Sequence, residues 1–463
     1  MPINRIMELD NIKTYIEANI KNQGNLVDCL EHLGKLPNDT DISWTLPLLE
    51  HSSEDVRFWA IKTIGKIHSL DYLSPLVELS KKESSTMVRR EIASSIGRLR
   101  SPEAIPAMID LLSDKDPKVV CQAIRGLLYF KGMDIVDTSL KALQNHPNDM
   151  ISKVISTEFF GEKTSSRTKD KKFNHPSVHS YLKNVAVNGD VLEVLKSVPE
   201  DSVHLTFTSP PYYNARDYSI YESYEAYLSF LEEVFKETYR ITKEGRFLIL
   251  NTSPVIVPRI SRAYSSKRYP IPFDLNTILQ KMGWEFIDDI IWMKPEYSVK
   301  NRVGGFDQHR KPLGYKPNCV TEYLMVYRKS TNKLIDWNMH QYSPEIVEGS
   351  KVVGNYETTN VWQINPKSDK VHSAIFPEAL CERVVRYYSF KGDLIFDPFG
   401  GSGTLARVAK MLGRNFFTTE KDPTYFEYMK NNNSAILGSE EDRFVTLSEF
   451  IKIVKNDTDG SND

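Results

Sequence analysis

DLIFDPFGGSGT, residues 393–404, joins a short apolar strand to a glycine-rich turn. The segment behind it, TLARVAKML, has apolar residues at helical spacing, and the next apolar stretch ends on Glu420, 17 positions after Gly403. Glycines permit a tight turn and let a ligand approach the backbone closely. In dinucleotide-binding folds, an acid placed in this way accepts hydrogen bonds from ribose hydroxyls. The series therefore predicts a site for a nucleoside-type cofactor, and the absence of a lysine directly after the glycines disfavours a nucleotide triphosphatase.

Other apolar segments alternate with helical ones over the same half of the chain. They predict strands at 184–190, 202–211, 245–254, 284–295, 321–330, 393–400 and 414–422, and helices at 223–241 and 377–388. Strands separated by helices indicate an α/β fold with a mostly parallel sheet and helices on both faces. Ligands bind such sheets at the carboxyl ends of the strands, where the sharpest motifs of this sequence lie.

One of these motifs is Thr208-Ser209-Pro210-Pro211-Tyr212, directly after the apolar strand at 203–207. Two consecutive prolines end the strand, fix the backbone and donate no N–H. Carbonyl groups and the Ser209 hydroxyl are left as acceptors beside an aromatic ring. Such a site suits an amino group on a planar base, because aromatic side chains stack on flipped or single-stranded nucleotides.

The first third of the chain has an internal repeat. Val56, Val88 and Val119 recur at a period of about 31–32 residues within helical segments that each follow an earlier helix and a polar turn. The pattern Asp55-Val56-Arg57-x-x-Ala60 resembles HEAT-type repeats over roughly residues 40–145. Helix pairs of this kind stack into a solenoid. An ordinary helical bundle is the alternative.

Composition sets broad limits. Hydrophobic residues make up 40% and charged residues 26% of the 463 residues, and the formal net charge is −2. These values are typical of globular proteins and leave nucleic-acid binding open, because a local basic surface is what binds phosphate. No signal peptide or membrane span is expected, so the cytoplasm is the predicted location. Four scattered cysteines without C-x-x-C spacing suggest neither a metal site nor a disulfide framework.

Taken together, D-P-F-x-G-S-G-T at 397–404, T-S-P-P-Y at 208–212, W-x-K-P at 292–295 and H-S-A-I-F-P-E-A-L at 372–380 resemble the DNA amino-methyltransferases over roughly residues 180–430. The tetrapeptide precedes the cofactor loop, as in the permuted (beta-type) members of that family. Its S-P-P-Y form resembles the cytosine-N4 branch. The resemblance implies a Rossmann-like methyltransferase sheet, S-adenosyl-L-methionine as cofactor and double-stranded DNA as substrate.

The resemblance also implies residue roles. Ser209 and the Pro210 carbonyl would hold the target amino group, Pro211 would complete the catalytic segment, and Tyr212 would stack on the flipped base. Asp190 would contact the adenine amino group of the cofactor, and Glu420 its ribose. The remaining residues expected at the cofactor are Thr208, Phe376, Pro377, Asp397, Pro398, Phe399, Gly400, Gly401, Gly403 and Thr404. The sequence holds no Pro-Cys pair, so the cysteine nucleophile of carbon-5 methylation is not expected.

The expected organisation has four parts. They are a HEAT-like domain at 1–155, a linker at 156–180, a methyltransferase domain at 181–440 and a C-terminal tail at 441–463. Stretches at about 255–320 and 335–370 are candidate DNA-recognition insertions. The basic residues expected to contact DNA phosphates are Arg259, Arg262, Lys267, Arg268, Lys300, Arg302, Arg310 and Lys311.

Several functional interpretations stay open. The preferred one is a cytosine-N4 DNA methyltransferase, with a cognate restriction endonuclease as a possible companion. Adenine N6 is an alternative target, since both amines present the same donors. In a third interpretation, of a different class, the protein is an interaction scaffold whose repeats bind a protein partner. In each case the repeats form an arm that contacts protein or DNA.

Overall fold

The computed structural model describes residues 9–34, 36–37, 40–160, 175–213, 221–257, 263, 266–367 and 376–459. The chain divides into two units, Met1–Asp170 and Lys171–Asp463. Most of the predicted linker at 156–180 lies outside the described residues. Within the described ranges, no helix is both long enough and apolar enough to cross a membrane.

The first unit is helical throughout its described part. Its α-helices are α1 (Leu9–Asn19), α2 (Gln23–His32), α3 (Glu54–Ile67), α4 (Leu73–Lys82), α5 (Thr86–Arg98), α6 (Ile105–Asp110), α7 (Pro117–Leu127), α8 (Asp134–Lys141) and α9 (Asp149–Ile155). Short 3₁₀ helices at 43–50, 70–72, 102–104, 111–113 and 128–130 and a π-helical turn at 156–160 connect them. Helices α3, α5 and α7 stack side by side, each preceded by a shorter helix, as the repeat predicts.

An ion-pair ladder links successive repeats. Arg57 on α3 donates from Nε to the Glu83 carboxylate at 2.7 Å, and Arg89 on α5 donates from Nε to that of Asp114 at 2.8 Å. In both cases the Nη1 atom also donates to backbone carbonyls five or six residues earlier. The same local arrangement thus recurs 32 residues apart, which explains the repeated arginine in the sequence.

The second unit is built on a nine-stranded sheet. Its strands are β1 (Val185–Asn188), β2 (Val203–Thr208), β3 (Thr242–Thr252), β6 (Trp284–Met293), β7 (Thr321–Lys329), β8 (Val361–Gln363), β9 (Leu394–Asp397), β10 (Asn415–Glu420) and β11 (Arg443–Thr446), in the order β11-β1-β10-β9-β2-β3-β7-β6-β8. Strand β7 runs antiparallel to its neighbours β3 and β6, and the other pairings are parallel. Strands β4 (Val255–Val257) and β5 (Lys267–Tyr269) form a separate hairpin.

Helices cover both faces of the sheet. They are α10 (Val191–Leu195), α11 (Tyr224–Ile241), α12 (Ile271–Lys281), α13 (Gly304–His309), α14 (Pro344–Gly349), α15 (Glu378–Tyr388), α16 (Thr404–Met411), α17 (Pro423–Asn432), α18 (Ser434–Leu437) and α19 (Leu447–Asp459). Ile395 of β9 packs in one cluster with residues of α15 and α16, whereas Leu394 and Phe396 pack in another with residues of α11 and α19. Alternate side chains of one buried strand therefore serve two cores, which confirms the predicted α/β class.

The prediction of a C-terminal tail at 441–463 is wrong for its described part. Strand β11 pairs in parallel with β1, from Val185 opposite Arg443 to Asn188 opposite Thr446. Helix α19 follows and buries Phe450 completely. Four residues with one apolar pair are too short a strand signal to stand out in the sequence, so this edge strand was missed. The stretch at 335–370 likewise contributes helix α14 and strand β8 at the opposite edge of the sheet.

Candidate active site

The segments at 208–212 and 397–404 meet at the carboxyl ends of the parallel strands. Strands β2 and β9 are neighbours and parallel, so the residues after Thr208 and after Asp397 leave the sheet side by side. A cavity of about 820 Å³ lies above these strand ends. That volume is within the range of roughly 300–1,000 Å³ found for cofactor and ligand sites.

Close packing under the cavity explains two of the glycines. A Cβ atom on Gly400 would lie 2.2 Å from the Thr418 Oγ1, and one on Gly403 would lie 2.3 Å from the Met429 Cγ. Gly403 also has φ +74°, at the residue that caps α16. Any side chain at these two positions would push the loop off β10 and α17, so the glycines set the shape of the loop.

The Asp397 carboxylate ties the two motifs together. Its Oδ1 accepts the Thr208 hydroxyl at 2.8 Å and the Phe399 N–H at 3.0 Å. Both Thr208 and Asp397 are buried. Burial raises the pKa of Asp397 to about 7, an effect that these hydrogen bonds only partly oppose. This carboxyl therefore changes charge near neutral pH.

Glu420 closes the glycine loop onto the end of β10. One carboxylate oxygen accepts the Gly401 N–H and the other accepts the Asp422 N–H, both at 2.8 Å. Burial raises the pKa of Glu420. Asp190 lies after the neighbouring strand β1, caps α10 through the Leu192 N–H and contacts Lys421 at 3.1 Å. The strand ends thus place three carboxyl groups around one part of the cavity.

A second polar network surrounds the tetrapeptide. The Tyr212 hydroxyl donates to the Glu322 carboxylate at 3.1 Å, and the Asn251 side-chain amide donates to Glu322 at 2.7 Å and to the Ser209 hydroxyl at 3.3 Å. Lys294 forms an ion pair with the other oxygen of Glu322. Burial, followed by the negative charge of Glu322, raises the pKa of Tyr212 well above its ordinary value. Glu322 therefore contacts Tyr212 directly and Ser209 through Asn251.

Most of the residues predicted from the sequence line this cavity. They are Asp190, Ser209, Pro210, Pro211, Tyr212, Phe376, Asp397, Pro398, Phe399, Gly400, Gly401, Thr404 and Glu420. Phe376 also stacks on Phe207 with ring centroids 4.6 Å apart. Thr208, Pro377 and Gly403 are not on the cavity wall. Each is next in the chain to a residue that lines the cavity, and Pro377 is buried at the start of α15.

Sequence reasoning missed Asn251 and Glu322 and did not assign a role to Lys294. Asn251 lies near the end of β3, and a polar residue at the end of a buried strand is a usable signal. Glu322 lies at the start of β7, and it reaches the same edge only because that strand is antiparallel. Sequence periodicity does not reveal strand direction, so the residue could not be placed in advance.

The basic candidates for DNA contact that the structure describes do not line the cavity. Arg268 on β5 and Arg302 both contact the Cys319 sulfur, at 3.4 and 2.9 Å, so the two predicted basic segments lie together. Lys267 lies over the Tyr269 ring at 4.6 Å. Lys300, Arg310 and Lys311 are exposed, and Arg310 contacts Asp307 at 3.3 Å. Arg259 and Arg262 lie outside the described residues.

A sheet with one antiparallel strand, helices on both faces and a glycine-loop cavity at the strand ends defines a methyltransferase fold. The chain matches a DNA methylase family over residues 203–431, and HEAT repeats over 42–127 and 73–154. It is 30% identical over 261 residues to the orphan methyltransferase M.BamHII of Bacillus amyloliquefaciens, a match that covers 50% of this chain and 88% of the relative. The chain belongs to this DNA methylase family.

Other similarities cover slightly more than half of the chain. M.BslI of Bacillus sp., a type II beta methyltransferase, is 28% identical over 277 residues, which cover 57% of this chain and 29% of that protein. A putative DNA modification methylase from Thermus thermophilus, solved in complex with S-adenosyl-L-methionine, is 28% identical, covers 57% of this chain and 98% of its own, and has a TM-score of 0.46. Family membership confirms the predicted cofactor, S-adenosyl-L-methionine. The HEAT-type repeats are confirmed as well.

Proposed function

We propose that this protein is a site-specific DNA methyltransferase that methylates the exocyclic N4 amino group of a cytosine flipped out of the duplex. The observation that carries the proposal is the shared cavity of the Ser209–Tyr212 segment and the Asp397–Thr404 loop. One motif presents acceptors for an amino group, and the other presents carboxylates and a glycine turn for a nucleoside-type cofactor.

The cofactor half of the cavity suits S-adenosyl-L-methionine. This ligand carries an ammonium group, a sulfonium centre, ribose hydroxyls and an adenine amino group, which are cationic or hydrogen-bond donors. Asp190, Asp397 and Glu420 offer acceptors, and each Glu420 oxygen keeps a lone pair beyond its backbone contact. We assign the ribose to Glu420, the adenine amino group to Asp190 and the methionine end to the loop at 397–404. When bound, the cofactor supplies an electrophilic methyl group.

The target half of the cavity suits a planar base with an amino group. Ser209 Oγ and the Pro210 carbonyl would accept its two N–H bonds. These acceptors favour a tetrahedral nitrogen with a free lone pair and stabilise the positive charge that develops on it. Tyr212 would stack on the base while Glu322 holds its hydroxyl. Positioning and preorganised dipoles then account for catalysis, and no covalent adduct with the base is needed.

The choice of cytosine over adenine rests on the Ser209 form of the tetrapeptide. Adenine N6 presents the same two donors to Ser209 and Pro210, so geometry alone does not separate the bases. Lys267, Arg268, Lys300, Arg302, Arg310 and Lys311 would contact phosphates around the flipped base. We place the enzyme in the cytoplasm, in a restriction-modification setting with a cognate endonuclease.

Nucleoside mass spectrometry of DNA from a methylation-free host that expresses the protein tests the proposal. We expect N4-methylcytosine with the wild-type chain and none with the Ser209→Ala variant. The Thr206→Val variant, changed on the same strand but away from the cavity, is the matched control and should retain the product. N6-methyladenine would keep the mechanism and overturn the base assignment. If folded protein is present and neither methylated nucleoside is found, the proposed function is contradicted.

A further inference from the structure

Charge is distributed unevenly between the two helix layers of the first unit. Helices α3, α5 and α7 carry eight lysines and arginines against three acids. The helices that follow them in the chain, α4, α6 and α8, carry three cations against four acids. Since the chain as a whole has a formal net charge of −2, this is a local feature of one layer.

Five of these cations form what we call the basic face: Lys62, Lys66, Arg90, Arg98 and Arg125. None of them belongs to the buried side of its helix. Lys62 and Lys66 are one turn apart on α3, and Arg90 and Arg98 are two turns apart on α5, so each pair lies on one side of its helix. Lys62 and Arg125 are two repeats apart, at about twice the period of 31–32 residues.

Close helix contacts make the face continuous. The Arg98 Nε donates to the Gly65 carbonyl at 3.2 Å, which brings Arg98 beside Lys66 on the neighbouring helix. A Cβ atom on Gly97 would lie 3.1 Å from the Gly126 Cα, so α5 and α7 also touch where Arg98 and Arg125 lie. Stacked helices are spaced about 8–10 Å apart, and three of them therefore carry the face over roughly 20 Å.

These cations are poorly neutralised within the protein. In the described part of the chain, Arg98 is the member of the face that forms an ion pair, with Glu91 at 2.6 Å. The Arg90 Nε is buried and has no hydrogen-bond partner among the described residues. Burial and then the like charges of Lys62 and Arg98 lower the pKa of Lys66. Uncompensated cations kept this close together cost stability, which a polyanion would recover.

Aromatic side chains border the face. Lys62 lies over the Trp59 ring at 4.3 Å and over the Phe58 ring at 5.3 Å. Arg100, two residues after the end of α5, lies over the Tyr129 ring at 5.1 Å. Stacking of this kind holds extended cationic side chains in place without neutralising them, so their charged ends stay available to an external anion.

We propose that the basic face of the repeat unit binds the phosphate backbone of duplex DNA. The proposal rests on the DNA substrate proposed above and adds a second DNA-contacting surface, outside the catalytic unit. A duplex carries one phosphate charge per about 1.7 Å of its axis with both strands counted, so a length of roughly 20 Å carries about 12 charges, and the face would meet those on its own side of the duplex. Since backbone contacts do not read sequence, this surface contributes affinity and leaves recognition to the catalytic unit.

The test compares two triple variants of the full-length chain. The face variant is Lys62→Gln, Arg90→Gln and Arg125→Gln. The control is Lys81→Gln, Lys115→Gln and Lys153→Gln, which removes the same charge from exposed positions elsewhere on the unit. Binding to a labelled duplex several helical turns long is measured against salt concentration, with thermal unfolding as a check on folding.

The face variant should bind more weakly, and its slope of log K against log salt should fall by about 2 to 3, close to one per lost phosphate contact. The control should keep the wild-type slope. At saturating DNA the turnover number of the face variant should match that of the wild type, while its KM for DNA rises. If the wild type transfers no methyl group to DNA, the proposed function is contradicted, whereas the salt dependence of binding tests the basic face separately.

An unchanged slope in the face variant would overturn the proposal and leave the face to another anionic partner, such as an acidic protein segment. An equal fall of the salt slope in the control variant would also overturn the proposal, because weaker binding would then follow from the lower total charge of the protein and not from the basic face. If the triple variant does not fold, Arg125→Gln alone is measured, since that side chain is exposed and hydrogen-bonds within its own helix, to the Gln122 side chain at 3.4 Å. It should lower the slope by about 1.

Discussion

The Thr208 hydroxyl donates a hydrogen bond of 2.8 Å to the Asp397 carboxylate, across the ends of the adjacent strands β2 and β9. Thr208 precedes the Ser209–Tyr212 segment, and Asp397 begins the glycine loop. The contact therefore fixes the distance between the two halves of the cavity. A methyl transfer depends on that distance, because reacting atoms must be held in near-attack geometry.

Replacing Thr208 by valine should lower both stability and turnover. The variant keeps the shape of the side chain but leaves a buried carboxyl group short of one donor, at a cost of about 1–3 kcal/mol in the free energy of unfolding. Thr206→Val is the matched control, since the Thr206 hydroxyl is buried on the same strand without a partner among the described residues. Denaturant unfolding and single-turnover methyl transfer measure the two effects. Equal losses in both variants would contradict this role of Thr208.

Cofactor affinity should depend on pH through Asp397. Its pKa is raised to about 7, so it is mostly protonated below neutral pH and ionised above. The cofactor is cationic, and its binding should therefore strengthen as pH rises through about 7 and be accompanied by proton release. The free energy of unfolding changes in the opposite direction. Between the pKa of Asp397 in the unfolded chain, near 4, and its folded value of about 7, the folded state holds the extra proton, so the stability of the protein falls as pH rises.

Calorimetric titration in buffers of different ionisation enthalpy measures this proton release. The Asp397→Asn variant should bind the cofactor more weakly and lose the pH dependence around neutrality. Glu420 also has a raised pKa, so Glu420→Gln is the comparison that shows which carboxyl titrates. A wild-type affinity that stays flat between pH 6 and 8, a window of roughly one unit on either side of that pKa, would rule out the assignment.

Glu322 should act as a positioning residue. We expect Glu322→Gln to lower turnover by about ten- to a hundredfold, because Tyr212 and Asn251 lose their shared anionic acceptor. Cofactor affinity should be unchanged. Lys294→Met should produce a loss that is not additive with Glu322→Gln, since the two form one ion pair. Glu285→Gln, an exposed acid on β6, is the control, and strict additivity of the first two variants would count against the network.

The ladder in the first unit should contribute to its stability. The Glu83 side chain is 2% exposed and pairs with Arg57, so Glu83→Gln should lower the free energy of unfolding by up to about 3 kcal/mol. Glu50→Gln breaks the Lys82 pair, whose side chains are more than half exposed, and should change it by less than about 1 kcal/mol. Denaturant unfolding should therefore show a larger loss in the free energy of unfolding for Glu83→Gln than for Glu50→Gln.

The sequence predicted those parts of the site that follow strand ends in a parallel sheet. Strand periodicity located β2 and β9, and the rule for ligands at carboxyl ends brought the Ser209 and Asp397 segments together. It did not predict the Thr208–Asp397 hydrogen bond, because strand order cannot be derived from local pattern. Glu322 was missed for a related reason, since an acid at the beginning of a strand reaches this edge only when the strand is reversed.

Features that depend on pairing between distant residues were also harder to predict. Strand β11 has four residues and lies at the edge of the sheet beside β1, so its stability comes from tertiary packing. Arg57 and Arg89 each follow one of the repeated valines, Val56 and Val88, yet their partners Glu83 and Asp114 lie in the turns of the next repeat. Long-range pairing of this sort leaves no periodic signal in a single sequence.

The antiparallel direction of β7 has a mechanical consequence. The chain leaves β6 at Lys294, passes through the basic segment that includes Arg302, and returns at Glu322. The Lys294–Glu322 ion pair therefore clasps both ends of that loop. The phosphate contact proposed for Arg302 would therefore lie in the loop whose two ends meet at Glu322, the residue that accepts the Tyr212 hydroxyl. A shift of that loop on DNA binding would reach the tetrapeptide through Glu322.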